Sequence, residues 1–341
     1  MSRALAKRPR RCTIPAPTPP RSSSVAFDRA ADYYDQTRGF PAEVGERIAD
    51  RIERAAGIGA EPRATGAETA GTAAGGAITG RAAVTAGAAA GAVTAGAAGA
   101  AATTVGSATG AGDAGGRLLE IGVGTGRISL PLHRRGRRVF GIDLSGPMLD
   151  RYRAKAADEG LEAPAVLRGD ATRLPFRAGS FDAVVEVHVL HLIPGWREAV
   201  AEVRRVLAPG GTLLVSRRLW DRSEGNGPRG LARKRHARIL AEWGLGTQRI
   251  GVRGDEEMIA SLVELGGRVE ELEPVSWRER ETWAEYLEIL ERRVWSESWQ
   301  VPEAPWEAAV RRLRVDLAAD AMDINAPVTV ERHVDLAAIR F

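Results

Sequence analysis

The stretch LLEIGVGTGR at residues 118–127 carries the most specific chemical signal in the chain. Gly122, Gly124 and Gly126 follow a short apolar run and open an amphipathic segment, the pattern of a buried strand turning into a helix. Glycine has no Cβ and tolerates positive φ, so a turn of this kind lets backbone approach a ligand closely. At the carboxyl end of the first strand of an open parallel sheet, that ligand is a nucleotide. The spacing then selects among nucleotides. A dinucleotide fingerprint, G-x-G-x-x-G, sets its third glycine where the helix packs beside a pyrophosphate. Here the third glycine comes one position early and Arg127 stands in the sixth place. Glu120, two positions before the first glycine, repels phosphates and suits a cation, so the pattern points to a positively charged nucleoside.

Two histidines, His188 and His191, follow the apolar run FDAVVEV at 181–187. An imidazole at a strand's carboxyl end titrates in the range useful to a general base, although a histidine there serves equally as a structural hydrogen-bonder. No H-E-x-x-H, no G-x-S-x-G and no carboxylate cluster with metal spacing occurs in the sequence, so no metal is indicated. The run RKRH at 233–236 reads as a solvated helix face.

These residues need a scaffold, and the hydrophobic pattern supplies one. From residue 117 onward short apolar runs at 117–121, 138–143, 164–168, 181–187 and 211–216 alternate with helical stretches at 127–135, 146–158 and 196–207. Continuous rather than alternating hydrophobicity marks strands buried on both faces, hence a parallel sheet with crossover helices. Further helices are predicted at 228–243, 254–265, 280–298 and 304–320, with strand-like runs at 267–277 and 328–340. Upstream, residues 25–56 show helical periodicity, with Pro41 at a helix start and Val44, Ile48 and Ile52 on one face. All eight tryptophans lie at or beyond Trp196, which fits a small helical core or an apolar substrate pocket.

Composition bounds the rest. The 341 residues are 44% hydrophobic and 27% charged, as in globular chains. Residues 57–116 depart from this, consisting almost wholly of Ala, Gly and Thr without leucine or aromatics, and read as a flexible low-complexity insert. The 21 residues 82–102 lack charge, but Ala and Gly bury too little surface to drive membrane insertion, so no membrane role is expected. Residues 1–24, rich in Arg, Ser and Pro, read as a disordered tail rather than a transit peptide. Their six cations and no acid more than account for the net charge of +4, leaving the remaining chain slightly acidic. Nucleic acid is therefore not an expected partner. A single cysteine, Cys12, excludes intramolecular disulfides and Cys-based zinc sites, and a cytoplasmic location is the natural expectation.

With these landmarks in order, the chain resembles the class I S-adenosylmethionine-dependent methyltransferases, in the ubiquinone/menaquinone-type (methyltransferase type 11-like) subgroup. The resemblance rests on E-x-G-x-G-x-G at 120–126, GIDLSGPMLDRYR at 141–153, GDATRLPF at 169–176, FDAVVEVHVLHLI at 181–193 and VRRVLAPGGTLLVS at 203–216. It covers residues 25–56 and 117–220, and the insert at 57–116 departs from the family pattern. The implied fold is α/β, a Rossmann-like seven-stranded mostly parallel sheet whose last two strands, 267–277 and 328–340, form an antiparallel edge pair interrupted by a helical substrate cap at 280–320. The implied domain order is a tail (1–24), a helical lid (25–56), the insert (57–116) and a methyltransferase domain (117–341).

The resemblance also implies roles. Gly122 and Gly124 would contact the methionine portion of S-adenosylmethionine, with Glu120 orienting the loop or the ammonium group. Asp143 would hold the ribose hydroxyls, Leu144 and Met148 would flank the adenine, and Asp170 with the Ala171 backbone would address its polar edge. Tyr33, Tyr34 and Arg38 would close over the ligand, Tyr34 foremost, and His188 is the candidate base. Read without the family, Asp143 fits a helix N-cap and Asp170 a turn. The implied reaction is in-line methyl transfer to an O, C or N nucleophile of a small-molecule acceptor, uncharged or weakly charged if it mirrors the near-neutral body. A catalytically silent S-adenosylmethionine-binding scaffold and a nicotinamide-dependent oxidoreductase are the alternatives.

Overall fold

The computed structural model describes residues 25–35, 39–58, 116–217 and 227–341. The tail at 1–24, nearly all of the insert at 57–116, and Arg38 lie outside the described residues. The helix α1 (Ala42–Ala56) precedes the insert, and the sheet begins after it. β1 (Leu118–Ile121), β2 (Val139–Asp143), β3 (Ala165–Arg168), β4 (Phe181–Glu186) and β5 (Leu207–Arg217) pair in parallel in the spatial order β3-β2-β1-β4-β5. The order reverses between β1 and β4, which in open α/β sheets opens a crevice at the strands' carboxyl ends.

Connecting helices cover both faces, as near-continuous burial of the strands requires. α2 (Ser129–Arg134) and α1 lie on one side with Leu118, Ala183 and Leu214, while α4 (Trp196–Val206) and α6 (Asp255–Glu264) lie on the other with Leu119, Ile121 and Leu213. α3 (Gly146–Asp158) closes a smaller cluster through Leu149, Tyr152 and Val123. Val44, Ile48 and Ile52 all point into the core, the stripe their spacing predicts. α1 is held to α2 by charge as well as by packing. Arg135 bonds Glu46 at 2.7 Å and Asp50 at 2.6 Å, and Arg137 bonds Glu53 at 2.5 Å. Ile58 packs against Gly116, so the chain leaves for the insert and returns at one place.

The C-terminal sheet edge differs from the expected pair. The run at 267–277 is two strands, β6 (Arg268–Glu271) and β7 (Val275–Glu281), and both pair antiparallel with the thirteen-residue β8 (Val328–Arg340). β8 also pairs antiparallel with β5, so it lies inside the sheet and β6 and β7 form the edge. The break coincides with Pro274, which has no N–H to donate to a ladder. β7 continues to Glu281, so the helix expected from 280 begins at Trp283. The fold class stands as a mainly parallel sheet, with eight strands because one is split.

Between β7 and β8 lie α7 (Trp283–Glu291) and α8 (Glu303–Ala319), and α5 (Pro228–Glu242) packs on both. Trp283, Trp295 and Trp306 are buried there with Leu287, Leu290 and Leu313. Much of the tryptophan cluster is thus the core of a small helical subdomain that cannot share the sheet's core. Among the described residues, no helix is long and apolar enough to cross a membrane.

Candidate active site

The glycine turn after β1 has the backbone its composition predicts, with φ of +66° at Gly122, +53° at Gly124 and +77° at Gly126. Two of these also lack room for a side chain. A Cβ at Gly122 would lie 2.2 Å from Val189 Cγ2, and one at Gly126 would lie 2.3 Å from the Tyr152 ring. The turn is tied to β2, since Ile142 O accepts from the N–H groups of Gly122 and Val123 at 2.7 and 3.1 Å.

Asp143 ends β2 and bridges two elements. Its Oδ2 accepts from Gly124 N at 2.9 Å and its Oδ1 from Ser145 N at 2.8 Å. Burial raises its pKa, opposed by those same N–H groups. The N-cap of α3 is Ser145, whose Oγ accepts from Met148 N, so the capping role weighed for Asp143 belongs elsewhere. Asp170 does make the turn that its residue type suggests, with Oδ1 accepting from Thr172 N and Thr172 Oγ1, both at 2.9 Å.

One cleft of about 630 Å³, counting its open mouth, lies at the switch point. Gly122, Gly124, Asp143, Leu144, Met148, Asp170, Ala171, Tyr34 and His188 all border it. Glu120 does not. Its side chain turns into the protein, where Oε2 accepts from the Ser129 hydroxyl of α2. Burial pushes its pKa up to about 8, partly offset by Ser129 and Arg127. A carboxyl in that state holds the glycine turn onto α2 and offers little charge to an ammonium group, which leaves the loop-orienting role of the two considered. The cause is strand alternation: Glu120 shares a face with Leu118, which packs under α1 and α2.

Sequence reasoning missed several contributors. Phe27 borders the cleft and meets Tyr34 edge to face at 5.9 Å, and Val25 N donates to Leu192 O at 3.2 Å. Asp35 clamps this N-terminal segment over the glycine turn, accepting from Thr125 Oγ1 at 2.5 Å and from Lys155 Nζ at 3.1 Å. An isolated aspartate ahead of a helix gives no signal of such a partner. Glu186, at the end of β4, was also unforeseen. Its Oε1 accepts from Val189 N at 2.6 Å and Leu190 N at 3.1 Å, and burial pushes its pKa up to about 7. His188 sits in the loop so gripped, with φ of +61°, rare for a non-glycine residue, and its N–H donates to Ser216 Oγ at 3.0 Å. His191 borders the adjoining cavity but not this cleft.

Residues 119–215, from β1 through β5, match a family described as "Methyltransferase domain". Over 99 residues the chain is 43% identical to a demethylmenaquinone methyltransferase of Thermus thermophilus, covering 28% of this chain and 44% of that protein. Over 98 residues the chain is 42% identical to a phosphatidylethanolamine N-methyltransferase of Cereibacter sphaeroides, covering 28% and 48%. The chain therefore spans less than half the length of these relatives. Among solved structures, the YcgJ protein of Bacillus subtilis aligns over 66% of this chain and 91% of its own, with 20% identity and a TM-score of 0.44. Among the described residues, no group of three or more His, Cys, Asp or Glu side chains is arranged to hold a metal.

Proposed function

We propose that the protein transfers a methyl group from S-adenosylmethionine to a small-molecule acceptor. The observation that carries this reading is the convergence of residues from three β-strand ends on one cleft beside a glycine turn too tight for side chains. S-adenosylmethionine supplies, when bound, a methyl group already activated on a sulfonium. The residues present fit it. Each oxygen of the Asp143 carboxylate accepts one backbone N–H and has a second lone pair to offer a vicinal diol. Gly122 and Gly124 allow close backbone approach for the amino-acid end, Leu144 and Met148 supply apolar and polarizable faces for a flat base, and Asp170 with Ala171 lies at its edge. Tyr34 and Phe27 cover the opening and exclude water.

The protein's remaining task is alignment, because the donor is already reactive. His188 borders both this cleft and the neighbouring cavity, so its imidazole is positioned to take a proton from an acceptor that must lose one. Isothermal calorimetry with S-adenosylhomocysteine tests the donor site directly. Incubation with an isotopically labelled donor and a metabolite extract, followed by mass spectrometry, tests transfer. Binding without any labelled product favours the silent scaffold, and no binding at all removes the proposal.

A further inference from the structure

A second cavity of about 1230 Å³, counting its open mouth, adjoins the donor cleft, and Tyr34 and His188 border both. Much of its wall comes from β7, β8, α5 and the segment after α7, outside the stretch that matches the methyltransferase family, while Arg127, His188 and His191 are contributed from within that stretch. Among the described residues five arginines line it, although the body of the chain is near neutral. Arg127 lies over the Phe40 ring at 5.0 Å, and three others have carboxylate partners. Arg233 bonds both oxygens of Glu297 at 2.6 Å, Arg332 bonds Glu279 at 2.8 Å and also Glu281, and Arg217 lies 3.6 Å from Asp255 and bonds Glu271.

Arg229, in the first turn of α5, is different. Its Nε, like that of Arg217, is buried without a hydrogen-bond partner, but in contrast to Arg217 no carboxylate of the described residues lies within ion-pair reach of its guanidinium. The guanidinium is 5.8 Å from the centre of the Trp295 ring, which the Arg233 guanidinium also approaches, at 5.6 Å. A partly buried cation without a counter-ion is costly, and an anionic ligand that pairs with its guanidinium recovers part of that cost. The planar fork of arginine matches a carboxylate, and flat aromatic walls from Trp295, Trp277 and Phe40 suit a planar apolar body.

We propose that this cavity binds the methyl acceptor and that the acceptor is a planar, aromatic carboxylic acid, with its carboxylate on Arg229 and its nucleophilic atom beside His188. The inference rests on the methyl-transfer reading. In the step it implies, a lone pair on the acceptor's hydroxyl or amine nitrogen or oxygen forms the new bond to carbon as the sulfur–methyl bond breaks. Sulfur keeps the bonding pair and becomes a neutral thioether, and the acceptor's proton passes to the His188 imidazole. The carboxylate is for recognition and takes no part in bond exchange. The weakly charged acceptor suggested by the overall composition gives way here to an anion, because the charge that matters is local.

The test uses the full chain saturated with S-adenosylhomocysteine and a panel of benzoates, hydroxybenzoates and indole carboxylates, each paired with its neutral amide. Calorimetry is expected to show at least one acid binding about tenfold tighter than its amide, the scale of one charge-assisted hydrogen-bonded pair. Arg229→Gln should erase that preference, Arg229→Lys should keep part of it, and both should bind S-adenosylhomocysteine as the unaltered chain does. If no acid outbinds its amide in the unaltered chain, or if the preference survives in Arg229→Gln, the inference is overturned. Should S-adenosylhomocysteine itself fail to bind, the donor reading falls instead, so the two failures are separable.

Discussion

Gly122→Ala is the sharpest probe of the proposed donor site, because the structure sets its cost in two separable parts. The added Cβ would lie 2.2 Å from Val189 Cγ2 and 2.8 Å from Cγ1, on a backbone with φ of +66°. The left-handed conformation costs about 1–2 kcal/mol for a residue bearing a Cβ. Overpacking against Val189 adds about 1–3 kcal/mol. The single variant should therefore lose about 2–5 kcal/mol in urea unfolding, and S-adenosylhomocysteine should bind at least about tenfold more weakly as the turn shifts to escape the clash. Val189→Ala removes both offending methyls and leaves Cβ at 3.1 Å, where a shift of a few tenths of an ångström suffices. In the double variant only the conformational part should persist, giving a favourable coupling of about 1–3 kcal/mol. Gly124→Ala is the internal control: its Cβ would meet Met148 Cε at an ordinary 3.4 Å, so only the conformational cost of about 1–2 kcal/mol applies. Strict additivity in the double variant, or a Gly122→Ala protein as stable as Gly124→Ala, would refute the steric account.

Asp143→Ala should weaken S-adenosylhomocysteine binding about 100-fold by calorimetry, the equivalent of losing hydrogen bonds to a charged acceptor; unchanged affinity removes Asp143 from the site. For Glu120, burial raises the folded pKa from 4.5 to about 8, so its contribution to stability is complete below pH 4.5 and is lost as pH rises toward 8. Glu120→Gln carries no charge, so its melting temperature should gain on that of the unaltered protein steadily between pH 5 and 8, and a pH-independent difference would contradict the buried-carboxyl reading. Because Ile58 and Gly116 are in contact, replacing residues 59–115 by a linker eight times shorter should preserve donor binding and raise stability by about 2 kcal/mol, read in urea. At the left-handed position of His188, the His188→Gly protein should be about 1 kcal/mol more stable than His188→Ala, while mass spectrometry of labelled product finds both impaired in transfer.

What the sequence made legible was local along the chain. Gly122, Gly124, Asp143 and Asp170 each sit at a strand terminus, where a few neighbouring residue types determine the turn, and all four border the cleft. The parallel core was readable for a related reason, since strands buried on both faces leave continuous apolar runs such as FDAVV. The opaque features depend on partners far along the chain. Asp35 meets Thr125 and Lys155, Arg332 meets Glu279 and Glu281, and Arg229 stands out only because its neighbours are paired with others. Counting charges over the whole chain cannot reveal which cation lacks a counter-ion. Nor could it distinguish an ammonium-facing Glu120 from one turned toward Ser129, which is a matter of strand phase.

The loop after β4 joins the two cavities, which share Tyr34 and His188, and would let them serve the one proposed reaction. Glu186 grips the N–H groups of Val189 and Leu190, Ser216 Oγ accepts from His188 N, and Gly251 and Val252 donate to the carbonyls of His191 and Leu190. Held from three sides, the chain passes through the left-handed conformation at His188 and seats Val189 on the only side of Gly122 where a side chain would otherwise project. In the proposed reading, the donor-side backbone and the acceptor-side imidazole are therefore both positioned by one short segment. In-line transfer demands such a linkage, since a displacement of an ångström between nucleophile and methyl group forfeits most of the advantage of alignment. In the proposed reading, the strain at His188 accompanies the joining of the donor cleft to a cavity lined by arginines of α5 and β8 together with Arg127 and Arg217.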